Sequence, residues 1–210
     1  MQSTRTRTRD ADATKARILA AAKAEFARLG LGGARVDEIA EKAEANKRMI
    51  YHYFGNKEDL FAAVLEDAYL DIRMAEQELK LDDLPPDEAI ITLITFTWDY
   101  YLANPEFIRL VNSANLHKGK HLVGSDKLRD ASRRYIAMIE RLLDRGAEAG
   151  LFRQDVDAGQ LNITIAAIGY YYLTNRFSGE ILFERDYMTK QALDERLAFN
   201  IDTIMRTIRA

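Results

Sequence analysis

Apolar residues return along this chain every three or four positions, the spacing of one side of an α-helix. Ile18, Ala22, Phe26 and Leu29 make the first stripe and predict a helix over about 12–29, ended by the glycines of Leu29-Gly30-Leu31-Gly32-Gly33. Shorter patterns follow over 36–43 and 47–54. Leu60, Phe61, Val64, Leu65, Ala68, Ile72 and Leu79 then share a broad face of a helix over about 57–80, roughly 35 Å long at 1.5 Å per residue. Asp82-Asp83-Leu84-Pro85-Pro86 breaks it. The segment 86–103 is apolar nearly all round from Ala89 to Trp98, which predicts a helix central to its domain. Asn104-Pro105 interrupts the chain, 105–114 makes a sixth helix, and 115–124 reads as a mobile loop. A seventh helix over 125–149 repeats Leu128, Ala131, Tyr135, Ile139 and Leu142. The eighth, 157–177, has no wet side and is expected to be buried on two fronts, its own domain and a second subunit. The ninth, 189–208, carries one stripe of Leu193, Leu197, Ile201, Ile204 and Ile208. Only three Pro and abundant Ala, Leu, Glu and Arg complete the case for an all-α chain of about nine helices.

The two short helices carry the most specific pattern. Ile39, Ala40 and Ala43 give the first a core-facing side, Glu44-Ala45-Asn46 forms a tight turn, and Asn46 caps the helix opening at Lys47. In that second helix Ile50 and Phe54 turn inward at i, i+4. Lys47, Arg48, Met49, Tyr51, His52 and Tyr53 remain around the other sides. A short helix with cations at its N-terminus and aromatic hydroxyls behind them suits the DNA major groove. Gly55 stops it, and Asn56-Lys57-Glu58 starts the next helix.

The run from Ile39-Ala40 through the turn to Ile50-Tyr51-His52-Tyr53-Phe54-Gly55-Asn56-Lys57-Glu58-Asp59-Leu60 resembles the DNA-binding signature of the tetracycline-repressor (TetR) family, over residues 12–61. The resemblance implies an all-helical dimer. Its helix-turn-helix domain would occupy residues 1–57, and a domain for effector binding and dimerisation residues 58–210. Two positions depart from the family pattern: Glu44 stands where Gly is usual in the turn, and Arg35 where Ser or Thr usually opens the first short helix. The expected DNA contacts are Arg35, Lys47, Arg48, Met49, Tyr51, His52, Tyr53 and Lys57. Thr4-Arg5-Thr6-Arg7-Thr8-Arg9, in an irregular arm over 1–11, reads equally as a DNA-tracking arm or a solubilising tail.

Charge agrees with this division. The net charge of −3 conceals a basic head, 12 Lys and Arg against 7 Asp and Glu in residues 1–57 (+5), and an acidic body, 18 against 26 in residues 58–210 (−8). The chain has no Cys, which excludes thiol catalysis, disulfides and Cys-ligated zinc. Neither a secretory leader nor a membrane-length apolar run is evident, so a soluble, cytoplasmic protein is expected.

Other chemistry is sparse. His117 and His121 are i, i+4 but flank Gly119 and lack a third ligand, so no metal site is expected. With no nucleophile elbow, phosphate loop or dinucleotide fingerprint, neither an enzyme nor a cofactor is expected. Where helices 4 to 8 should converge, Trp98, Tyr101, Phe107, Asn112, Asn115, Tyr171, Tyr172 and Asn175 offer aromatic walls with polar handles for a small-molecule effector. No buried Lys or Arg is evident on helices 5 or 8, which favours an uncharged or cationic ring. Helices 8 and 9 are expected to form the homodimer interface. The run Arg176 to Asp186, placed between them, resembles the pyrimidine-utilisation regulator branch of the same family. The expected protein is a DNA-binding transcriptional regulator, a repressor released from a palindromic operator by a small molecule. The alternative is a DNA-bound scaffold without an effector.

Overall fold

The computed structural model describes the backbone of residues 3–210 and the side chains of residues 10–210. Among these residues there are nine α-helices: α1 (Ser3–Gly33), α2 (Val36–Lys42), α3 (Lys47–Phe54), α4 (Lys57–Gln77), α5 (Pro86–Ala103), α6 (Pro105–Leu116), α7 (Asp126–Glu148), α8 (Ala158–Phe183) and α9 (Lys190–Ile208). The only extended pairing described is an isolated bridge between Phe152 and Arg209. The fold is all-α. The expected arm over 1–11 carries its arginines among residues whose side chains lie outside the description, and the backbone there is helical from Ser3.

The chain divides into two compact units. The first comprises residues up to Leu70 and Pro105–Leu128. Its centre is α1, whose inner stripe of Ile18, Ala22 and Phe26 is wholly buried. Phe26 meets Phe61 edge-on at 5.0 Å. Gly30, at φ 67, ends the helical run where the glycine cluster predicted. The following turn meets α6, as the Leu31 N–H donates to Ser113 Oγ at 3.4 Å. The segment 115–124 and the residue after it make local contacts. It contains a 3-10 turn at Lys120–Leu122, the His121 ring packs edge-on against Phe61 at 5.0 Å, and Ser125 Oγ donates to Glu66 at 2.6 Å.

The second unit, Asp71–Asn104 with Arg129–Ala210, is built around α5. Ile90, Leu93 and Ile94 of that helix are buried among Ile139 and Leu142 of α7, Leu161 and Ile165 of α8, and Ile204 and Ile208 of α9. An apolar circumference leaves α5 no face to solvate, and it becomes the hub. The apolar stripe of α9 therefore faces the core of its own unit: Ile204 and Ile208 are buried there, with Leu197 and Ile201 packed alongside. It is not the free interface stripe that periodicity alone suggested. Helix α8 also runs one and a half turns further than expected. Arg176–Phe183 is helical, not a connecting loop, and α8 closes at Glu184 with φ 50.

Candidate nucleic-acid interface and effector cavity

Four local devices set the geometry of α2 and α3. Helix α2 ends with the Ala45 N–H bonded to Ala40 O at 2.9 Å, which places Glu44 in left-handed backbone at φ 49. This is the position where a glycine would carry no penalty. Asn46 then caps α3 as expected, its Oδ1 accepting from the Met49 N–H at 2.9 Å. Gly55 closes α3 at φ 87, and a Cβ there would stand 2.6 Å from Asp59 Oδ2. Asn56 and Asp59 cap α4 reciprocally: the Asp59 N–H donates to Asn56 Oδ1 at 2.9 Å and the Asn56 N–H to Asp59 Oδ2 at 3.3 Å.

Helix α1 anchors this pair. Arg17 Nε donates to Ala43 O at 3.1 Å. The Glu25 carboxylate is fully buried between Lys42 at 2.6 Å and Arg28 at 3.0 Å. The hydrogen bond from Lys42, with Arg28 adding to it, holds its carboxyl below the ordinary range. A buried carboxylate with two cations satisfies what one partner would leave exposed to desolvation.

On this scaffold α3 buries Ile50 and presents Arg48, Tyr51 and His52 to solvent, with Met49 and Tyr53 half-exposed. Phe54, expected inward, is only half-buried. Lys47 lies on the same outer side as Tyr51 and is ion-paired to Asp37 at 2.9 Å, which holds its ammonium above the usual value. Arg35 occupies the N-cap position of α2 without a side-chain cap and is exposed. Lys57, half-exposed at the start of α4, makes only a 3.5 Å contact to Gly32 O. The structure thus collects Lys47, Arg48, Tyr51 and His52 on one face. Asp37 as a partner for Lys47 could not be read from spacing, because the two lie ten residues apart across the turn.

The eight expected effector residues fall in both units. Phe107 is buried against the Tyr69 ring at 5.4 Å. Asn112 and Asn115 are exposed on α6, and Asn115 Nδ2 donates to Val111 O of its own helix. In the second unit Trp98 and Tyr101 are buried beneath Gly169 of α8. The Trp98 ring meets Tyr172 at 5.6 Å. Tyr171, Tyr172 and Asn175 line a cavity of about 540 Å³ between the second half of α8, the 184–189 segment and the start of α9. Tyr187 enters this cavity's wall because Gly179 has no side chain: a Cβ there would lie 2.4 Å from the Tyr187 ring. The Tyr172 hydroxyl donates to Tyr187 O at 2.8 Å. Sequence reasoning missed Arg185, Glu195, Arg196 and Phe199, which come from beyond α8 and also line the cavity. A smaller recess of about 340 Å³ lies between the end of α4 and α7. Beside it Arg73 pairs with buried Glu76 at 2.7 Å and stacks 3.9 Å from the Tyr135 ring centroid.

Among the described residues no helix is long and apolar enough to cross a membrane, and no cluster of three His, Cys, Asp or Glu suits a metal ion. The His117 and His121 rings stand 5.7 Å apart.

Comparison with known proteins places this helix-turn-helix, on an all-helical chain with a second helical unit, among transcriptional regulators. Residues 18–64 match the family described as bacterial regulatory proteins, tetR family. Residues 86–204 match the tetracyclin repressor-like C-terminal domain. The chain belongs to the TetR family of transcriptional regulators. It is 37% identical over 211 residues to the HTH-type transcriptional repressor NicS of Pseudomonas putida, a match spanning 100% of both chains. It is 34% identical over 110 residues to the HTH-type transcriptional regulator RutR of Escherichia coli, 52% of this chain and 51% of that protein. Among solved structures, the transcriptional regulator SCO4942 of Streptomyces coelicolor superposes with a TM-score of 0.68 at 26% identity, covering 93% of this chain and 98% of the other. These relatives are regulators rather than enzymes.

Proposed function

We propose that this protein is a homodimeric repressor that binds a palindromic operator and leaves it when a small molecule occupies the second unit. The observation that carries the reading is the exposed face of α3, where Arg48, Tyr51 and His52 stand clear of the core on a helix fixed at both ends. Arg48 reads a base edge, since a guanidinium bonds guanine bidentately. Tyr51, His52, Lys57 and Arg35 hold phosphates, which set register without reading sequence. Lys47 joins them once it exchanges Asp37 for phosphate, and Met49 and Tyr53 flank the contact. Residues 1–57 are assigned the DNA-binding role, and residues 58–210 effector binding and dimerisation.

Dimerisation is assigned to α8 with the outer side of α9. Ile163, Ala167, Tyr170, Thr174, Phe177 and Ile181 recur at alternating four- and three-residue steps along one side of α8, the spacing of a two-helix seam. Ile163, Phe177 and Ile181 there are exposed apolar side chains. The effector is assigned to the cavity lined by Tyr171, Tyr172 and Asn175, whose volume lies in the range of small-molecule sites. That cavity favours a ligand-responsive regulator over a DNA-bound scaffold.

The test is selection of bound sequences from random duplex DNA with the full chain, followed by footprinting. A two-fold symmetric site is expected, with half-sites about a whole number of helical turns apart. Recovery of unrelated sequences would overturn the operator assignment.

A further inference from the structure

We propose that the cavity between α8 and α9 recognises a small aromatic monocarboxylate, with the Arg196 guanidinium as its counter-ion and the Tyr172 and Phe199 rings as its walls. The inference rests on the effector reading above and specifies its chemistry. Sequence reasoning looked for cations on helices 5 and 8 and so expected an uncharged or cationic ring. The decisive cation comes from α9.

Arg196 is half-buried, and its guanidinium carbon stands 5.5 Å from the centroids of both Tyr172 and Phe199. Its one described hydrogen bond is a long one, to Ile168 O at 3.4 Å. Its Nε is buried with no partner among the described residues. The acid next to it in sequence, Glu195, is engaged by Arg185 at 2.8 Å. A guanidinium carries five donors in a planar fork, and a buried donor such as this Nε costs free energy while it has no acceptor. Burial also pushes this guanidinium's pKa down from its ordinary value. A carboxylate fits the fork with two parallel hydrogen bonds and supplies the missing charge.

The rest of the cavity selects the remainder of the ligand. Its volume of about 540 Å³ admits a one- or two-ring compound. Tyr172, Tyr187 and Phe199 offer ring faces and edges, and the Tyr172 and Tyr187 centroids are 5.0 Å apart. A phosphate dianion would need a second free cation, and Arg185 is already neutralised by Glu195. A cationic ring would meet Arg196 directly. A monoanion with an aromatic body satisfies both the charge and the walls.

The experiment titrates the full chain with 2-naphthoate and with its neutral isostere 2-naphthamide, reading binding by calorimetry and operator affinity by fluorescence anisotropy. The acid is expected to bind at least tenfold more tightly than the amide. Arg196→Met, which keeps the aliphatic stem, should abolish that preference, Arg196→Lys should restore part of it, and Phe199→Ala should weaken both compounds. Circular dichroism and sedimentation accompany each variant. Equal binding of acid and amide overturns the carboxylate assignment while leaving the effector reading in place, as does failure of 2-naphthoate to bind at millimolar concentration. Acid binding that leaves operator affinity unchanged sinks the effector reading and keeps the acid site. If Arg196→Met turns dimer into monomer, the guanidinium serves a second copy of the chain and the proposal falls.

Discussion

Glu44 shows how far single residues in this chain could be read. A non-glycine residue in left-handed backbone costs about 1–2 kcal/mol, and the turn between α2 and α3 imposes that backbone whatever occupies it. Glu44→Gly relieves the strain but adds freedom to the unfolded chain. The net expectation is a gain of about 0.5–1 kcal/mol, seen as a melting temperature raised by roughly 2 °C in a chain of this size. An unchanged or lowered value would mean that the Glu44 side chain contributes something the turn geometry does not reveal. Asp37 sets a second expectation. Because it already neutralises Lys47, Asp37→Asn frees a cation for phosphate and should steepen the salt dependence of operator binding by up to about one unit. Lys57→Ala should flatten it by about the same amount for all sequences, whereas Arg48→Ala should erase about 1–3 kcal/mol of discrimination at one base pair. If Arg48→Ala weakens every sequence equally, Arg48 is a phosphate contact and the docking register is wrong. Asn46, Gly55 and Glu44 were legible because caps and turns are local. Asp37–Lys47 and Arg196 were not, since each depends on how distant segments meet.

Helices were located well from periodicity and their partners less well. Every predicted helix is present, because the apolar spacing that marks a helix is fixed by its own pitch. What a stripe packs against is decided by its neighbours, and here α9 misled: its inner stripe is taken up by α5 of the same chain. The expected behaviour of substitutions changes accordingly. Ile204→Arg places a charge in a fully buried site and should unfold the protein. Phe177→Arg with Ile181→Arg, at exposed positions on the proposed seam of α8, should leave a folded monomer by sedimentation and circular dichroism. A dimer surviving the second pair would move the interface off α8. The last turn of α4 offers a pH signature. Burial raises the Glu76 carboxyl to about 7, despite Arg73 and the Tyr135 hydroxyl, which both favour its charged form. A carboxyl raised on folding holds more protons folded than unfolded between about 4.5 and 7. Its contribution to stability is full below that window and lost as pH climbs through it. Wild-type melting temperature should therefore carry a falling component from pH 5 to 7.5 that Glu76→Gln removes. An identical profile in the variant would show that Arg73 keeps Glu76 ionised throughout.

At the scale of the whole molecule, a basic head and an acidic body share one continuous element. Helix α4 runs from Lys57, just after the exposed face of α3, through Leu70 in the first unit and on to Gln77 in the second. That α4 was long could be read from its apolar face. That α6 belongs with the first unit could not, because it follows α5 in sequence and nothing in its composition distinguishes it. On the proposed function, effector binding reaches the operator through α4, and a helix can carry such a signal only while it stays stiff across the boundary. A ligand releases DNA only by binding the DNA-incompetent arrangement more tightly, and couplings of about 1–3 kcal/mol, or roughly 5–150-fold, are usual. The same factor must appear in both directions, so operator DNA should weaken 2-naphthoate by as much as 2-naphthoate weakens the operator. Inserting Gly-Gly after Leu70 costs about 1 kcal/mol per glycine in a helix interior but leaves the contacts within each unit available. The insertion variant should keep its operator affinity and its 2-naphthoate affinity within a few-fold, while the coupling factor, measured from both sides, falls toward one. A variant that still releases its operator with the wild-type factor would show that the two units communicate by a route other than α4.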